Sequence, residues 1–378
     1  MRILKILNSK DRGGVYIYEV QFIKELKKRG YIVDAVIVGE GERTEEYQSL
    51  CNISYKIPYL DALYSGPIPR ILNSMLKSYK FGVKYAKFVS EQIESDQAYD
   101  AIMYCRPNFI HLAGLLSQMI SSKSFWHLPN TVNGKVSKAF YNFYCDKYGI
   151  TSIGNSVYTK NTLGDSCKHV VYMAYDEERV QKSETNFREK LGIDKNAPVY
   201  GVAARLHKDK AQDVVVEAFV KSAIPKMGGH LLVAGGPLDS EFAGEVQKLA
   251  KDLLGKQVHF LGDISDLPMF YSSVDIVING RRNAEPFGIS VAEALGAGKP
   301  VIAYYLGGPS EMVEHNENGW LVSKPDVENF TLAYNDSIGA RERWASMGRD
   351  AKSRSMRYGV ESNVDRLIDI IELSKEYA

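Results

Sequence analysis

Two glutamates, Glu285 and Glu293, stand eight positions apart, with Pro286-Phe287-Gly288 after the first and Gly296-Ala297-Gly298-Lys299-Pro300 after the second. Apolar runs flank them, Val274-Asp275-Ile276-Val277-Ile278 before and Val301-Ile302-Ala303-Tyr304-Tyr305 after, and both read as strands. A helix therefore starts near Gly288 at the carboxyl end of one parallel strand and returns to feed the next. Ligands of open α/β sheets sit at that edge. A helix N-terminus there offers free N–H groups and a partial positive charge to an anion. Two carboxylates beside such a site would repel bare phosphate, so hydroxyls of sugar and ribose are the fitting partners. A nucleotide sugar combines a diphosphate with many hydroxyls. The plainer reading is a strand–helix–strand unit whose helix carries two surface glutamates.

The segment resembles the E-x7-E signature of retaining glycosyltransferases with the GT-B fold, in the large family usually called GT4. The adjoining Pro-Phe-Gly, the Gly-x-Gly-Lys-Pro and the later Gly307-Gly308 share in that resemblance. It implies two Rossmann-like α/β domains, each a doubly wound parallel sheet, facing a central cleft. By the same resemblance Glu285 contacts hydroxyls of the transferred sugar and stabilises charge at its anomeric carbon. Glu293 contacts the ribose, and the backbone N–H groups of Phe287, Gly288 and Ile289 help hold phosphate or sugar.

Other segments acquire roles in that frame. Gly13-Gly14 lies between the first strand and the first helix, where glycine allows close backbone approach to a ligand. Alone it is a turn; by resemblance it is the glycine-rich loop that caps the donor diphosphate. Arg205-Leu206-His207-Lys208-Asp209-Lys210 suits a diphosphate leaving group, because fixed cations stabilise the charge that grows as the glycosidic bond breaks. Arginine grips two phosphate oxygens and lysine acts as a point charge. Arg205 and Lys210 match the family by position, whereas Ala211 stands where the family usually has glycine. Gly262-Asp263-Ile264 resembles the loop near the nucleotide base, so Ile264 is either a base contact or plain core. No Asp-x-Asp occurs in the chain. With Arg205 and Lys210 in place, the expectation is metal-independent transfer with no cofactor.

The first half departs from the family. Where His-x-His is common, the chain reads Met103-Tyr104-Cys105-Arg106-Pro107, and Arg106 is a candidate for an acceptor anion. His127, in Trp126-His127-Leu128-Pro129-Asn130, is either a hydrogen-bonded strand-end histidine or, by resemblance, a group facing the donor sugar. Arg281-Arg282 stands where small polar residues are usual. It is an exposed loop tip, or else Arg282 reaches an anion on donor or acceptor. The helix expected over 71–90 carries Leu72, Met75, Leu76, Tyr79 and Val83 along one stripe, with Lys77, Lys80, Lys84 and Lys87 beside it. Such a helix packs on its sheet with a solvated basic flank, or makes peripheral contact with an anionic membrane.

The elements that must position these groups are legible in outline. At 378 residues the chain suits two α/β domains, and 45% hydrophobic with 25% charged residues is globular. A net charge of +1 argues against nucleic acid as a partner. Cys51, Cys105, Cys145 and Cys167 lack metal-type spacing and suit free thiols in a reducing cytoplasm. The opening apolar run is too short for a signal peptide and no run reaches the ~20 apolar residues of a membrane span. The expected location is cytoplasmic, at most on the inner face of the cell membrane. In the first half strands are expected at 2–7, 32–38, 101–104, 124–127 and 149–153, with a helix at 16–29 closed by Gly30. In the second they are expected at 199–204, 231–236, 258–262, 274–278, 301–305 and 319–322. The polar stretch 175–196 is the expected linker. The division is 1–185 for the acceptor side and 186–359 for the donor side, with a tail helix at 360–378 that by resemblance packs back on the first domain. The expected activity is retaining transfer from a nucleotide diphosphate sugar, UDP-linked in preference to GDP-linked, to a glycan or lipid-linked glycan acceptor in bacterial surface polysaccharide synthesis. The competing readings are a GT-B epimerase or phosphorylase, and a nucleotide-sugar-binding accessory subunit.

Overall fold

Short apolar runs that alternate with amphipathic helices can bury both faces of a strand only in a parallel sheet covered on both sides. The computed structural model describes residues 1–62 and 68–376, and two such sheets are found. The chain forms two compact units, one of Met1–Met173 with Val360–Ala378 and the other of Ala174–Gly359.

The first unit holds seven parallel strands: β1 Arg2–Asn8, β2 Ile32–Val38, β3 Ser54–Ile57, β4 Ala101–Tyr104, β5 Lys123–Leu128, β6 Ile150–Gly154 and β7 His169–Val170. Their order is β3-β2-β1-β4-β5-β6-β7, so the winding reverses between β1 and β4. Leu4, Ile6, Val36, Tyr104 and Trp126 lie in its core. Beneath the first helix (Gly14–Lys28), Lys5 and Glu19 form a fully buried ion pair at 2.5 Å. The tail helix (Val360–Glu376) belongs to this unit, with Lys28 Nζ 2.9 Å from Glu361 Oε1. The last two residues of the expected tail helix lie outside the described residues.

Six parallel strands make the second sheet: β8 Val199–Ala203, β9 His230–Ala234, β10 Val258–Gly262, β11 Ile276–Asn279, β12 Val301–Tyr304 and β13 Gly319–Val322. Their order, β10-β9-β8-β11-β12-β13, reverses between β8 and β11. Crevices at the carboxyl ends of strands flanking such a reversal are where α/β sheets take their ligands.

Two short strands escaped the sequence reading. β3 and β7 are the edges of the first sheet, of four and two residues. Edge strands this short carry too little periodicity to register. The stretch 175–196 is also more than a linker, because its charges pair with the second unit. Arg188 Nη2 bonds Asp275 Oδ2 at 2.7 Å, and its other nitrogens donate to the carbonyls of Ser273 (2.8 Å) and Ala197 (2.8 Å). Asp275 also accepts from Val199 N at 2.8 Å, tying β8 to the start of β11. Truncation in Arg188→Ala removes this clasp, and urea unfolding is expected to show a loss on the order of 2–3 kcal/mol.

Candidate functional site

The loop after β8 is built by backbone needs before chemistry. Gln212, fully buried, donates from Nε2 to the carbonyls of Ala204 (3.2 Å) and Arg205 (2.9 Å), closing the turn. Ala211 has φ 49°, the left-handed region, which explains why glycine is usual there. Lys208–Lys210 forms one 3-10 turn between them. Arg205 is exposed and makes no ion pair among the described residues, while Lys210 Nζ donates to Glu285 Oε2 at 3.2 Å.

Glu285 comes from the loop after β11, across the reversal from the β8 loop. Arg281 Nε lies 3.3 Å from the same Oε2, and Oε1 carries no hydrogen bond among the described residues. The main chain of Glu285 is paired too: its N donates to Leu306 O (3.3 Å) and its carbonyl accepts from Gly308 N (2.8 Å). That approach depends on glycine. A Cβ on Gly307 would sit 2.1 Å from Glu285 O, and one on Gly308 would sit 2.1 Å from Phe287 O. Gly288, at φ 97°, opens the helix Ile289–Gly296, whose first N–H groups have no intrahelical partners. Phe287 buries its ring 6.1 Å from that of Tyr358, leaving its main chain as the part that could meet a ligand. Ile264 is half-buried at the carboxyl edge of β10, so it is not plain core.

Glu293 is only 4% exposed. Arg179 Nε donates to Oε1 at 2.8 Å and the Tyr271 hydroxyl to Oε2 at 3.1 Å. Burial raises its pKa, and the Arg179 guanidinium pulls the other way. Each carboxylate oxygen keeps a further lone pair after these bonds. Arg281 and Arg282 divide. Arg282 N donates to Asp209 O (3.1 Å), which turns the side chain onto Asp213 and the Lys208 carbonyl (2.9 Å). Arg282 thus braces the loop, and its neighbour Arg281 is the one beside Glu285.

In the first unit, Gly13 and Gly14 are exposed at the N-terminus of the helix Gly14–Lys28, which has no acidic residue in its first turn. Gly13 has φ 65°, with open space where a Cβ would stand. Asp11, just before them, is 2% exposed and ion-paired with Arg106 from the β4 loop (Nε to Oδ1, 2.6 Å). The pair spans the reversal between β1 and β4. His127 is 1% exposed, and its Nε2 donates to Val171 O at 2.6 Å. Burial drives its pKa down to about 3, with the Val171 bond opposing and Lys5 assisting. It is a neutral strand-end histidine, held edge-on to the Tyr18 ring at 4.7 Å.

Known proteins resemble this chain in sequence and in fold. Residues 183–354, almost all of the second unit, match the model for glycosyl transferases group 1. The second unit is thus similar to the glycosyl transferases group 1 family. Among curated relatives, D-inositol 3-phosphate glycosyltransferase of Corynebacterium urealyticum is 28% identical over 50% of this chain and 46% of its own length. The lipopolysaccharide core biosynthesis mannosyltransferase LpsB of Rhizobium meliloti is 24% identical over 54% of this chain and 60% of its own. The chain thus spans about half the length of such relatives. Solved structures align over nearly the whole chain. HepE of Anabaena, solved with UDP and glucose, has a TM-score of 0.78 at 20% identity, covering 98% of this chain and 99% of its own. Sucrose-phosphate synthase of Thermosynechococcus elongatus has a TM-score of 0.76 at 17% identity, with all of both chains covered. The fold is GT-B.

Within the second unit, sequence reasoning named Arg205, Lys210, Glu285 and Glu293 but missed Arg179, which nothing marked because its partner lies 114 positions away. It missed Asp11 too, although the adjoining glycines could have drawn attention there. Burial outweighs Arg106 at Asp11 and lifts its pKa from 3.8 to about 6. The folded state therefore holds the proton more tightly than the unfolded one. This contribution to stability is full below about 3.8 and lost as pH rises through about 6. The stability of the parent relative to Asp11→Asn should fall by ~3 kcal/mol between those limits, read by denaturant titration at several pH values.

Proposed function

We propose that the chain is a retaining glycosyltransferase that takes a sugar from a nucleoside diphosphate sugar, UDP-linked in preference to GDP-linked, without a metal ion. The acceptor is a glycan or lipid-linked glycan of surface polysaccharide synthesis. The observation that carries this reading is Glu285, gripped on one oxygen by Lys210 and Arg281 at the strand reversal, with Arg205 unpaired on the facing loop. The match of the second unit to the glycosyl transferases group 1 model supports it, as do the UDP and UDP-glucose named with HepE and the lipopolysaccharide role named for LpsB.

In this reading the diphosphate meets Arg205 and Lys210, which take up charge as the bond from the anomeric carbon to phosphate oxygen breaks. Glu285 Oε1 accepts a hydroxyl of the transferred sugar. Its negative charge also steadies the positive charge that develops at the anomeric carbon. The acceptor oxygen bonds that carbon on the face the leaving group vacates, and its proton passes to the departing phosphate oxygen. Glu293, held by Arg179 and Tyr271, accepts the ribose hydroxyls through its remaining lone pairs. His127 stays out of the proton transfers, because it is buried and neutral.

A panel of UDP-, GDP- and ADP-sugars, read by thermal shift and by slow sugar release with and without EDTA, tests the donor. A selective, EDTA-insensitive rise in Tm is expected, by mass action. No shift with any of them would favour the accessory-subunit reading, and a shift abolished by EDTA would end the metal-free one. Isomerisation of the sugar nucleotide without an acceptor would point to an epimerase. Lys210→Ala is expected to lower kcat by roughly 10²–10³-fold while the protein still melts cooperatively.

A further inference from the structure

Arg281 holds a largely buried guanidinium that makes no hydrogen bond. It stands two residues past the end of β11, and the main chain is held on both sides of it. A Cβ on Gly280 would fall 2.4 Å from Val215 Cγ2 and 3.0 Å from the Lys210 carbonyl oxygen, so that glycine lies close against the β8 loop. On the other side Arg282 N donates to Asp209 O at 3.1 Å. The side chain of Arg281 is 19% exposed, and its Nε is shut off from solvent. That Nε lies 3.3 Å from Glu285 Oε2 without being aligned for a hydrogen bond. The Nη groups make no hydrogen bond among the described residues either. Buried polar groups are otherwise hydrogen-bonded in folded proteins, so a fork of idle N–H donors at this depth calls for a partner.

Nothing in the second unit needs this cation for itself. Glu285 already has Lys210, whose Nζ donates to the same Oε2 at 3.2 Å. The loop is braced by Arg282, through the Lys208 carbonyl (2.9 Å) and Asp213. A lysine serves as a point of charge, whereas the planar guanidinium matches a group that presents two anionic oxygens. In the reading above, Arg205 and Lys210 meet the diphosphate and Glu285 meets hydroxyls of the transferred sugar. Arg281 shares the loop of Glu285, so the anion it suits is one that the sugar itself carries. A phosphate there would bring two charges beside the Glu285 carboxylate. A carboxylate on the sugar ring brings one, and the repulsion is smaller.

We propose that the transferred sugar is a uronic acid whose carboxylate is held by Arg281 in a bidentate pair. The inference rests on the transferase reading and narrows its donor to nucleoside diphosphate uronic acids. A neutral hexose presents a hydroxymethyl group in place of the carboxylate. It would leave most of the Arg281 fork unpaired, and a site built around a polar group discriminates strongly against the analogue that lacks its partner.

Dissociation constants are measured for the full chain with donors paired so that they differ only at C6. The pairs are UDP-glucose with UDP-glucuronic acid, UDP-galactose with UDP-galacturonic acid, and GDP-mannose with GDP-mannuronic acid. At least one uronic donor is expected to bind on the order of 100-fold tighter than its neutral partner. Arg281→Leu should erase that preference, and Arg281→Lys, which keeps the charge without the fork, should retain roughly 10-fold of it. The preference is a ratio, so a merely structural loss at Glu285 would weaken both members of a pair alike and leave it unmoved. Neutral donors bound as tightly as uronic ones by the parent overturn this inference and leave the transferase reading standing. A preference that survives Arg281→Leu in a cooperatively melting protein overturns it too. A parent chain that binds none of the donors removes the transferase reading, and this inference with it.

Discussion

One carboxylate oxygen, Oε2 of Glu285, lies within 3.3 Å of two cations, and the second unit is arranged around its position. Lys210 and Arg281 would repel each other without the anion between them, and Glu285 alone would be costly at its depth. Together with the unpaired Arg205 they leave a surplus of positive charge at the carboxyl edge of the sheet. That surplus suits an anionic ligand. The triad depends on strand order, since only a reversal between β8 and β11 sets the two loops side by side. It depends also on Gly307 and Gly308, where a side chain would collide with the backbone of Glu285 and of Phe287 respectively.

The first unit repeats the device with different residues. Asp11 follows β1 and Arg106 follows β4, so their ion pair crosses the corresponding reversal. Behind it Lys5 and Glu19 pair in full burial. A lone charge at such depth would be untenable, and a partner makes it tolerable without making it strongly stabilising. These pairs anchor residues on either side of Gly13 and Gly14 in the chain, much as Gln212 anchors the Arg205 turn through its carbonyls.

Charge read along the chain misleads when pairing is long-range. The stretch 175–196 looks like solvated linker by composition, yet Arg179 and Arg188 bind Glu293 and Asp275 and make it part of the second unit. The opposite error is possible at the helix Ile68–Ser90. There an apolar stripe that would ordinarily mark a core-facing side is turned to solvent, because the inward side must be small enough to approach His111.

Periodicity by itself determined most of the strands and the two α/β halves, while the GT-B class and the grouping of Arg205, Lys210 and Glu285 followed from the resemblance of their motifs to a known family. Each of those signals is local: alternating apolar runs, glycines near turns, and fixed offsets within one strand–helix unit. Side-chain direction and partnership were left to the tertiary structure. It turned Arg281 toward Glu285 and Arg282 toward Asp213, although the two are neighbours in sequence. It enclosed His127 as a neutral imidazole, gave Glu293 its partner in Arg179, and raised Asp11 by burial. None of these is local, because each depends on which distant segment fills the space beside a side chain, and a one-dimensional pattern does not encode that.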